Sequence, residues 1–209
     1  LRSALKQRVA QRPCSWRVCE RNATGMVPLV TIRIPGFKRL SCLPRALQSV
    51  LKQDYPHIEL LVSDNGLNGT AVRDLVDQHY TRPYVFRQNP AIVTLPAHYN
   101  QLVEAASGKY FIWMPDDDAI SSNYVSALVS ILEQGPGHRC CHCALGVRGC
   151  VRTRLARVSE PCSAFHFRRT VDHAMEQSGI RKFHGHSCRT ADIRAHGGYP
   201  EFPGRHIVM

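Results

Sequence analysis

The sequence predicts an α/β fold: a mostly parallel sheet with helices packed on both faces. Three observations carry that prediction. Between residues 27 and 134, short apolar or β-branched runs alternate with segments whose apolar residues recur at helical spacing. Each change of pattern is marked by Pro, Gly, Asn or Asp. One short run, Ile58–Val62, is wholly apolar after Glu59, as expected of a strand covered on both faces.

The first strand is Leu29–Ile34, a β-branched run stopped by Pro35-Gly36. Arg39 to Gln53 is helical in pattern, with Leu43, Leu47, Val50 and Leu51 on the apolar side. Ser41 is placed to cap it, and Pro44 is tolerated in a first turn. Asp54-Tyr55-Pro56 ends that helix, and Ile58–Val62 forms the second strand, opening into the turn Ser63-Asp64-Asn65-Gly66. Val72, Leu75, Val76 and His79 mark the second helix, with His79 read as a helix-end residue rather than a ligand. Tyr84–Arg87 is a sparsely patterned third strand. Pro96 to Ala106 is a helix with Tyr99, Leu102, Val103 and Ala106 on one face, stopped by Gly108. Tyr110–Met114 is the fourth strand, and Asn123 to Glu133 a helix showing Val125, Leu128, Val129 and Leu132.

Right-handed crossovers in this order bring the carboxyl ends of the strands to one edge, where ligands of α/β sheets bind. Pro35-Gly36, Asp64 and the triplet Asp116-Asp117-Asp118 fall on that edge. Adjacent carboxylates repel one another, and a divalent cation gives them a reason to converge. The plainer alternative is an acidic turn in which Asp118 caps the next helix.

A chain of 209 residues buries one sizeable core, or one core and a small appendage. No apolar run reaches the roughly 20 residues needed to span a bilayer, and the N-terminus lacks the apolar stretch of a secretory signal. The expectation is a soluble, cytoplasmic protein, with any membrane contact peripheral, at the inner membrane face. The formal charge of +11 invites a nucleic-acid reading, but its distribution argues against one. Residues 1–26 carry +5 and residues 135–169 carry +6, so the remainder is neutral. Those two blocks also hold Cys14, Cys19, Cys140, Cys141, Cys143, Cys150 and Cys162. Neither shows sustained apolar periodicity. The first reads as a disordered or non-native extension ahead of a start at Met26. The second reads as an irregular Arg- and Cys-rich segment translated outside its native frame, which compensating frame changes near residues 135 and 170 in the encoding DNA would reveal.

Competing readings of these blocks are weaker. Cys140-Cys141-His142-Cys143 with Cys150 offers zinc ligands, but no second CxxC pair follows at finger-like spacing. An Arg-rich nucleic-acid arm lacks stacking aromatics beyond Trp16, Phe165 and Phe167. Disulfides need an oxidising compartment, for which no targeting signal speaks. Asn22-Ala23-Thr24 and Asn68-Gly69-Thr70 match a glycosylation pattern that is common by chance.

Four stretches, in order, resemble the family 2 glycosyltransferases and their Rossmann-type GT-A fold. Val30 to Arg39 resembles the opening strand with its P-T-Y-N-R turn, and Leu43 to Pro56 the first helix ending in Q-x-Y-P. Ile58 to Thr70 resembles the E-I-I-V-x-D-N-x-S-x-D-G-T segment, and Gly108 to Asp118 the G-x-Y-x strand leading to the D-x-D region. The similarity covers about residues 27–134 and resumes near 183–209, where His184-Gly185 through Gly197-Gly198-Tyr199-Pro200-Glu201 resembles an acceptor-side segment. It implies a nucleotide-sugar-binding domain over 27–134 and a partial acceptor-side segment over 170–209, so that the acceptor-side half is incomplete.

The resemblance also implies roles. Asp64 would receive the base or ribose, and Pro35 would wall the base. Asp116, Asp117 and Asp118 would hold Mg²⁺ or Mn²⁺ bridging the donor diphosphate, with Asp116 also near the nucleotide. Asn100 matches an Asn at a family helix start, and Arg87 lies where a basic residue can approach the nucleotide. His206 falls at the position of the catalytic base in one alignment. Gly36-Phe37-Lys38 replaces Thr-Tyr-Asn, and Leu67-Asn68 replaces part of Ser-x-Asp, removing a carboxylate. Residues 135–169 match nothing in the family.

The implied activity moves a sugar from a nucleotide-diphosphate donor to a saccharide or lipid-linked hydroxyl, with inversion and metal assistance. The rivals are a catalytically inactive nucleotide-binding remnant of the same fold and a basic nucleic-acid-binding protein.

Overall fold

A computed structural model describes residues 27–38, 40–133, 140–148, 151–162 and 186–199. β1 (Val30–Gly36) leads through a 3-10 turn (Leu40–Cys42) into α1 (Leu43–Leu51). Then come β2 (Ile58–Asp64), α2 (Ala71–His79), β3 (Tyr84–Gln88), α3 (Leu95–Ala105), β4 (Tyr110–Trp113), β5 (Ala119–Ile120) and α4 (Tyr124–Leu132). β6 (Cys140–Arg148), β7 (Val151–Cys162), β8 (His186–Arg189) and α5 (Thr190–Ala195) complete the described elements. The strands join in one sheet of order β3-β2-β1-β4-β8-β6-β7-β5. β3, β2, β1 and β4 are parallel, as the βα alternation requires, while β8 runs antiparallel to both β4 and β6.

The strand period of two sorts the core into two layers. Val30, Ile32, Ile34, Leu60, Val62, Tyr110, Ile112 and Met114 pack on one face with residues of α1, α2 and α4. Phe111 and Trp113 point to the other face and pack with Leu95, Tyr99 and Val103 of α3 and Ile193 of α5. Helices therefore cover both faces of the central strands, which is why these strands read as almost unbroken apolar text.

Three expectations are corrected. The helix begins at Leu43 rather than Arg39, because Ser41 lies in the 3-10 turn and the N-cap residue is Cys42, without a side-chain cap bond. β1 does not stop at Pro35 but continues through Gly36, pairing Pro35 with Ser63 and Gly36 with Asp64. The Arg33 carbonyl accepts from Met114 N on the β4 side, and the Gly36 carbonyl accepts from Asn65 N on the β2 side. By alternation Pro35 faces the β4 side, where the partner strand has already ended at Trp113, so its missing N–H breaks no ladder.

The third correction concerns residues 135–169, read as irregular. Cys140–Arg148 and Val151–Cys162 form an antiparallel ladder, with register shifts between Cys140 and His142 and between Cys143 and Ala144. The backbone of β8 supplies the reason, since a strand beside β4 must pair its second edge, and β6 does so.

Candidate functional site

The carboxyl edge of the parallel strands is a rim built from three chain segments. Register pairs Gly36 with Asp64 across β1 and β2, and Arg33 with Trp113 across β1 and β4. β4 ends early, and Met114-Pro115-Asp116 continues past the edge, with Met114 N donating to the Arg33 carbonyl at 3.1 Å. Pro35, Asp64 and the acidic turn thus lie at neighbouring strand ends, the convergence expected from the sequence.

Asp64 is fully buried, and its carboxylate is occupied by this chain's own donors. Oδ1 accepts from Gly66 N at 2.8 Å and Asn68 Nδ2 at 2.7 Å. Oδ2 accepts from Asn68 N at 2.9 Å and Gln88 Nε2 at 3.2 Å. Asp64 therefore orders the loop after β2 rather than presenting a free carboxylate. Asn68 Nδ2 also donates to the Phe37 carbonyl, and a Cβ on Gly66 would collide with that same carbonyl. The loops after β1 and β2 are laced together. At their tip Leu67 is exposed and holds φ 56°, a left-handed conformation that a non-glycine residue adopts only when its surroundings enforce it.

Arg87 and Asn100 do not join this rim as expected. Arg87 is exposed on β3 and alternates in side with Gln88, the residue that reaches Asp64 and the Gly69 carbonyl. Asn100 on α3 spends both ends of its amide on Tyr199, donating to its carbonyl at 2.9 Å and accepting from its N–H at 2.7 Å. It is a packing amide that ties the turn after α5 to α3. His206 lies outside the described residues.

The acidic turn is clamped from α1. Asp116 and Asp118 are buried and Asp117 is half-buried. Arg45 Nη2 donates to the Asp117 carbonyl, and Ser49 Oγ accepts from Ile120 N at 3.2 Å. Gln53, also buried, donates to the Ser121 carbonyl at 2.7 Å and accepts from Val125 N at 3.1 Å. Sequence reading passed over this clamp, although Gln53 falls three residues beyond Val50 on the apolar stripe, where a polar side chain needs a buried partner. Among the described residues no group of three His, Cys, Asp or Glu is arranged to hold a metal ion. Two neighbouring buried carboxylates nonetheless form a hard-oxygen donor set that fits Mg²⁺ or Mn²⁺, ions that fill most of their shell with phosphate oxygens and water.

Behind the rim, on the α3 face, Arg33 is fully buried. Its guanidinium lies over the ring of Trp113 and at 4.3 and 5.4 Å from the centroids of Tyr99 and Phe111. Tyr199 closes the group, its ring 5.5 Å from Tyr99 in an edge-on arrangement. Burial pushes Arg33 down to about 9, with Tyr199 and Tyr99 opposing the shift. His98, equally buried, shares a 2.6 Å hydrogen bond with Ser63 Oγ. Burial first, then the Arg33 charge, push it down to about 4, with Asp64 opposing. The lone Arg inside Val30–Ile34 was a signal of this cluster that sequence reading left unused.

With the rim in place, the chain can be set beside known proteins. Residues 31–188 match the family model described as Glycosyl transferase family 2. The chain belongs to glycosyl transferase family 2. The match spans 135–169, so the segment that resembled nothing lies inside the family's extent. This family 2 chain is 25% identical over 126 residues to the GalNAc(5)-diNAcBac-PP-undecaprenol beta-1,3-glucosyltransferase of Campylobacter jejuni, covering 59% of this chain and 40% of that protein. It is 27% identical over 108 residues to the putative colanic acid biosynthesis glycosyl transferase WcaA of Escherichia coli, covering 51% and 39%. The chain thus spans at most 40% of these relatives' length.

Among solved structures, the mannosyltransferase PcManGT from Pyrobaculum calidifontis, in complex with GDP-Man and Mn2+, superposes with TM-score 0.61 at 19% identity, over 91% of this chain and 51% of that one. S. aureus TarS 1-349 with UDP-GlcNAc gives TM-score 0.58 at 14% identity, over 82% and 48%. These likenesses establish the shared GT-A fold. Among the described residues, no helix is long and apolar enough to cross a membrane.

Proposed function

We propose that this family 2 chain carries the nucleotide-sugar-binding part of a glycosyltransferase. It moves a sugar from a nucleoside-diphosphate donor to the hydroxyl of a saccharide or lipid-linked acceptor, with inversion at the anomeric carbon. The observation that supports the reading is the meeting of Pro35, the Asp64-ordered loop and the Asp116–Asp118 turn on one edge of the parallel strands. The donor class is supported by the GDP-Man and UDP-GlcNAc that the fold neighbours bind. A lipid-linked acceptor is supported by the name of the C. jejuni relative, which carries a PP-undecaprenol group, and contact at a membrane face is part of the proposal.

In this reading the base and ribose rest against Pro35 and the loop that Asp64 holds. Asp116 and Asp118 are the residues that would hold Mg²⁺ or Mn²⁺, which when bound neutralises the departing diphosphate. Asp117 fixes the turn between them through its carbonyl on Arg45. Inversion needs a base to take the acceptor proton as its oxygen attacks, and His206 is the group this chain offers for that step.

Calorimetry with UDP-GlcNAc, GDP-mannose and related donors tests the reading. We expect binding that depends on Mn²⁺, and a tenfold or greater loss of that Mn²⁺-dependent affinity (about 1.4 kcal/mol or more) in Asp116→Asn and Asp118→Asn. No heat with any donor in the presence of Mn²⁺ would defeat it. Binding without transfer to any acceptor would instead mark an inactive nucleotide-binding remnant. Salt-sensitive nucleic-acid binding that disappears on removal of residues 1–26 would place the excess charge in that extension.

A further inference from the structure

Arg33 is the least comfortable group in the described structure. Nε, Nη1 and Nη2 all lack a hydrogen-bond partner, and the side chain has no exposed surface. Aromatic faces compensate charge, but they do not satisfy the N–H donors that point along the guanidinium plane. Burying an ion carries a desolvation penalty, and a buried polar group left open calls for an explanation.

Position supplies one. Arg33 sits mid-way along β1, opposite Leu61 of β2 and opposite Trp113, the last residue of β4, so on the β4 side its neighbour strand ends at its own level. Its roof is Tyr199, carried on Gly197 and Gly198 at φ 77° and 73°. From α3, Asn100 makes two hydrogen bonds to that segment and Tyr99 packs edge-on against the Tyr199 ring. Planar guanidinium matches carboxylate and phosphate two bonds at a time, which no aromatic box requires. His98 alongside brings no second positive charge at neutral pH, and the carboxylate that acts on it, Asp64, has its oxygens on Gly66, Asn68 and Gln88 rather than on Arg33.

We propose that Arg33 is the floor of a buried oxyanion subsite that takes a carboxylate or a phosphate group, with Gly197-Gly198-Tyr199 as its displaceable cover. Tyr199 belongs to the segment that resembles the acceptor side, so on the glycosyltransferase reading the oxyanion belongs to an acidic acceptor. The subsite itself rests on Arg33 and does not require that reading.

The test is thermal unfolding of the full chain in EDTA at constant ionic strength. Sodium phosphate and, separately, sodium D-glucuronate are titrated into wild type, Arg33→Met and Arg33→Lys. Expected is a saturable rise in Tm with at least one anion in the wild type, with a change in tryptophan fluorescence as Tyr199 leaves Trp113. Arg33→Met, with a higher starting Tm, should show no saturable rise. Arg33→Lys should need about ten times more anion, since it keeps the charge and loses the fork. A response to phosphate alone assigns a phosphate group, and one to glucuronate alone assigns a sugar carboxylate. No saturable response in the wild type, or the same concentration dependence in wild type and Arg33→Lys, overturns the proposal. The Mn²⁺-dependent donor titration is a separate measurement, so failure of one leaves the other readable.

Discussion

Asn100 holds Tyr199 by both polar groups of one residue's backbone, donating from Nδ2 to its carbonyl at 2.9 Å and accepting its N–H at Oδ1 at 2.7 Å. The pair joins α3 to the turn after α5 across 99 positions of sequence. Truncation to Ala removes both hydrogen bonds. Asn100→Ala is expected to lose about 2 kcal/mol, as two hydrogen bonds of ordinary net worth. Asn100→Asp should fall between, since it keeps the acceptor and loses the donor. Urea unfolding of the three proteins measures both differences.

Gly198 makes the same contact visible from the other side. It has φ 73°, and a Cβ there would strike Asn100 Oδ1. Gly197 has φ 77° with nothing near its would-be Cβ. Gly197→Ala should therefore lose about 1 kcal/mol for the backbone alone, and Gly198→Ala about 2–3 kcal/mol for backbone plus collision. Because the collision needs Asn100, the Gly198→Ala loss should shrink in an Asn100→Ala background. Additive losses in that double-mutant cycle would place the obstruction elsewhere.

Gln53, two residues past the end of α1, is the residue that joins that helix's C-terminal turn to the segment after the acidic turn. It spans the Ser121 carbonyl and Val125 N, on either side of the start of α4. Gln53→Leu keeps the volume and strands both backbone groups, at about 1–3 kcal/mol. The turn that carries Asp116 and Asp118 should loosen with it. Mn²⁺-dependent donor affinity is expected to fall about tenfold, while binding without metal is unchanged. Calorimetry with and without Mn²⁺ separates the two effects.

The parts of this molecule that were legible from sequence are those whose signal is local. The βα alternation from Val30 to Leu132 is written in periods of two and 3.6, and each element lies within a few residues of its expected place. β7 was missed because its alternation, Val151-Arg152-Thr153-Arg154-Leu155, is spelled with arginines that read as charge rather than pattern. β5 is two residues long and owes its existence to β7 and to Ser49. At the site, the place of the Asp116–Asp118 turn on the strand edge was legible, but the company kept by Asp64 and Asn100 was not. Gln88 lies 24 positions from Asp64, and Tyr199 lies 99 from Asn100, so only tertiary structure reveals that both side chains are already engaged.

His98 gives the fold a pH dependence whose sign follows from burial. Its folded value of about 4 lies below the ordinary 6.5, because burial and then the Arg33 charge disfavour the protonated ring. The unfolded chain therefore takes up the proton first as pH falls. Stability from this group is complete above pH 6.5 and is lost as pH falls toward 4, by at most about 3 kcal/mol. His98→Gln should flatten that slope, at the cost of whatever the Ser63 hydrogen bond contributes at all pH values. Arg33→Met should raise the His98 value by removing the neighbouring cation, so the loss sets in over a narrower range and is smaller at the acid end. Urea unfolding between about pH 4 and pH 8 on the three proteins reads all of this. Equal slopes in wild type and His98→Gln would assign the acid sensitivity to other groups, and equal slopes in wild type and Arg33→Met would separate the two buried bases that this face of the sheet holds together.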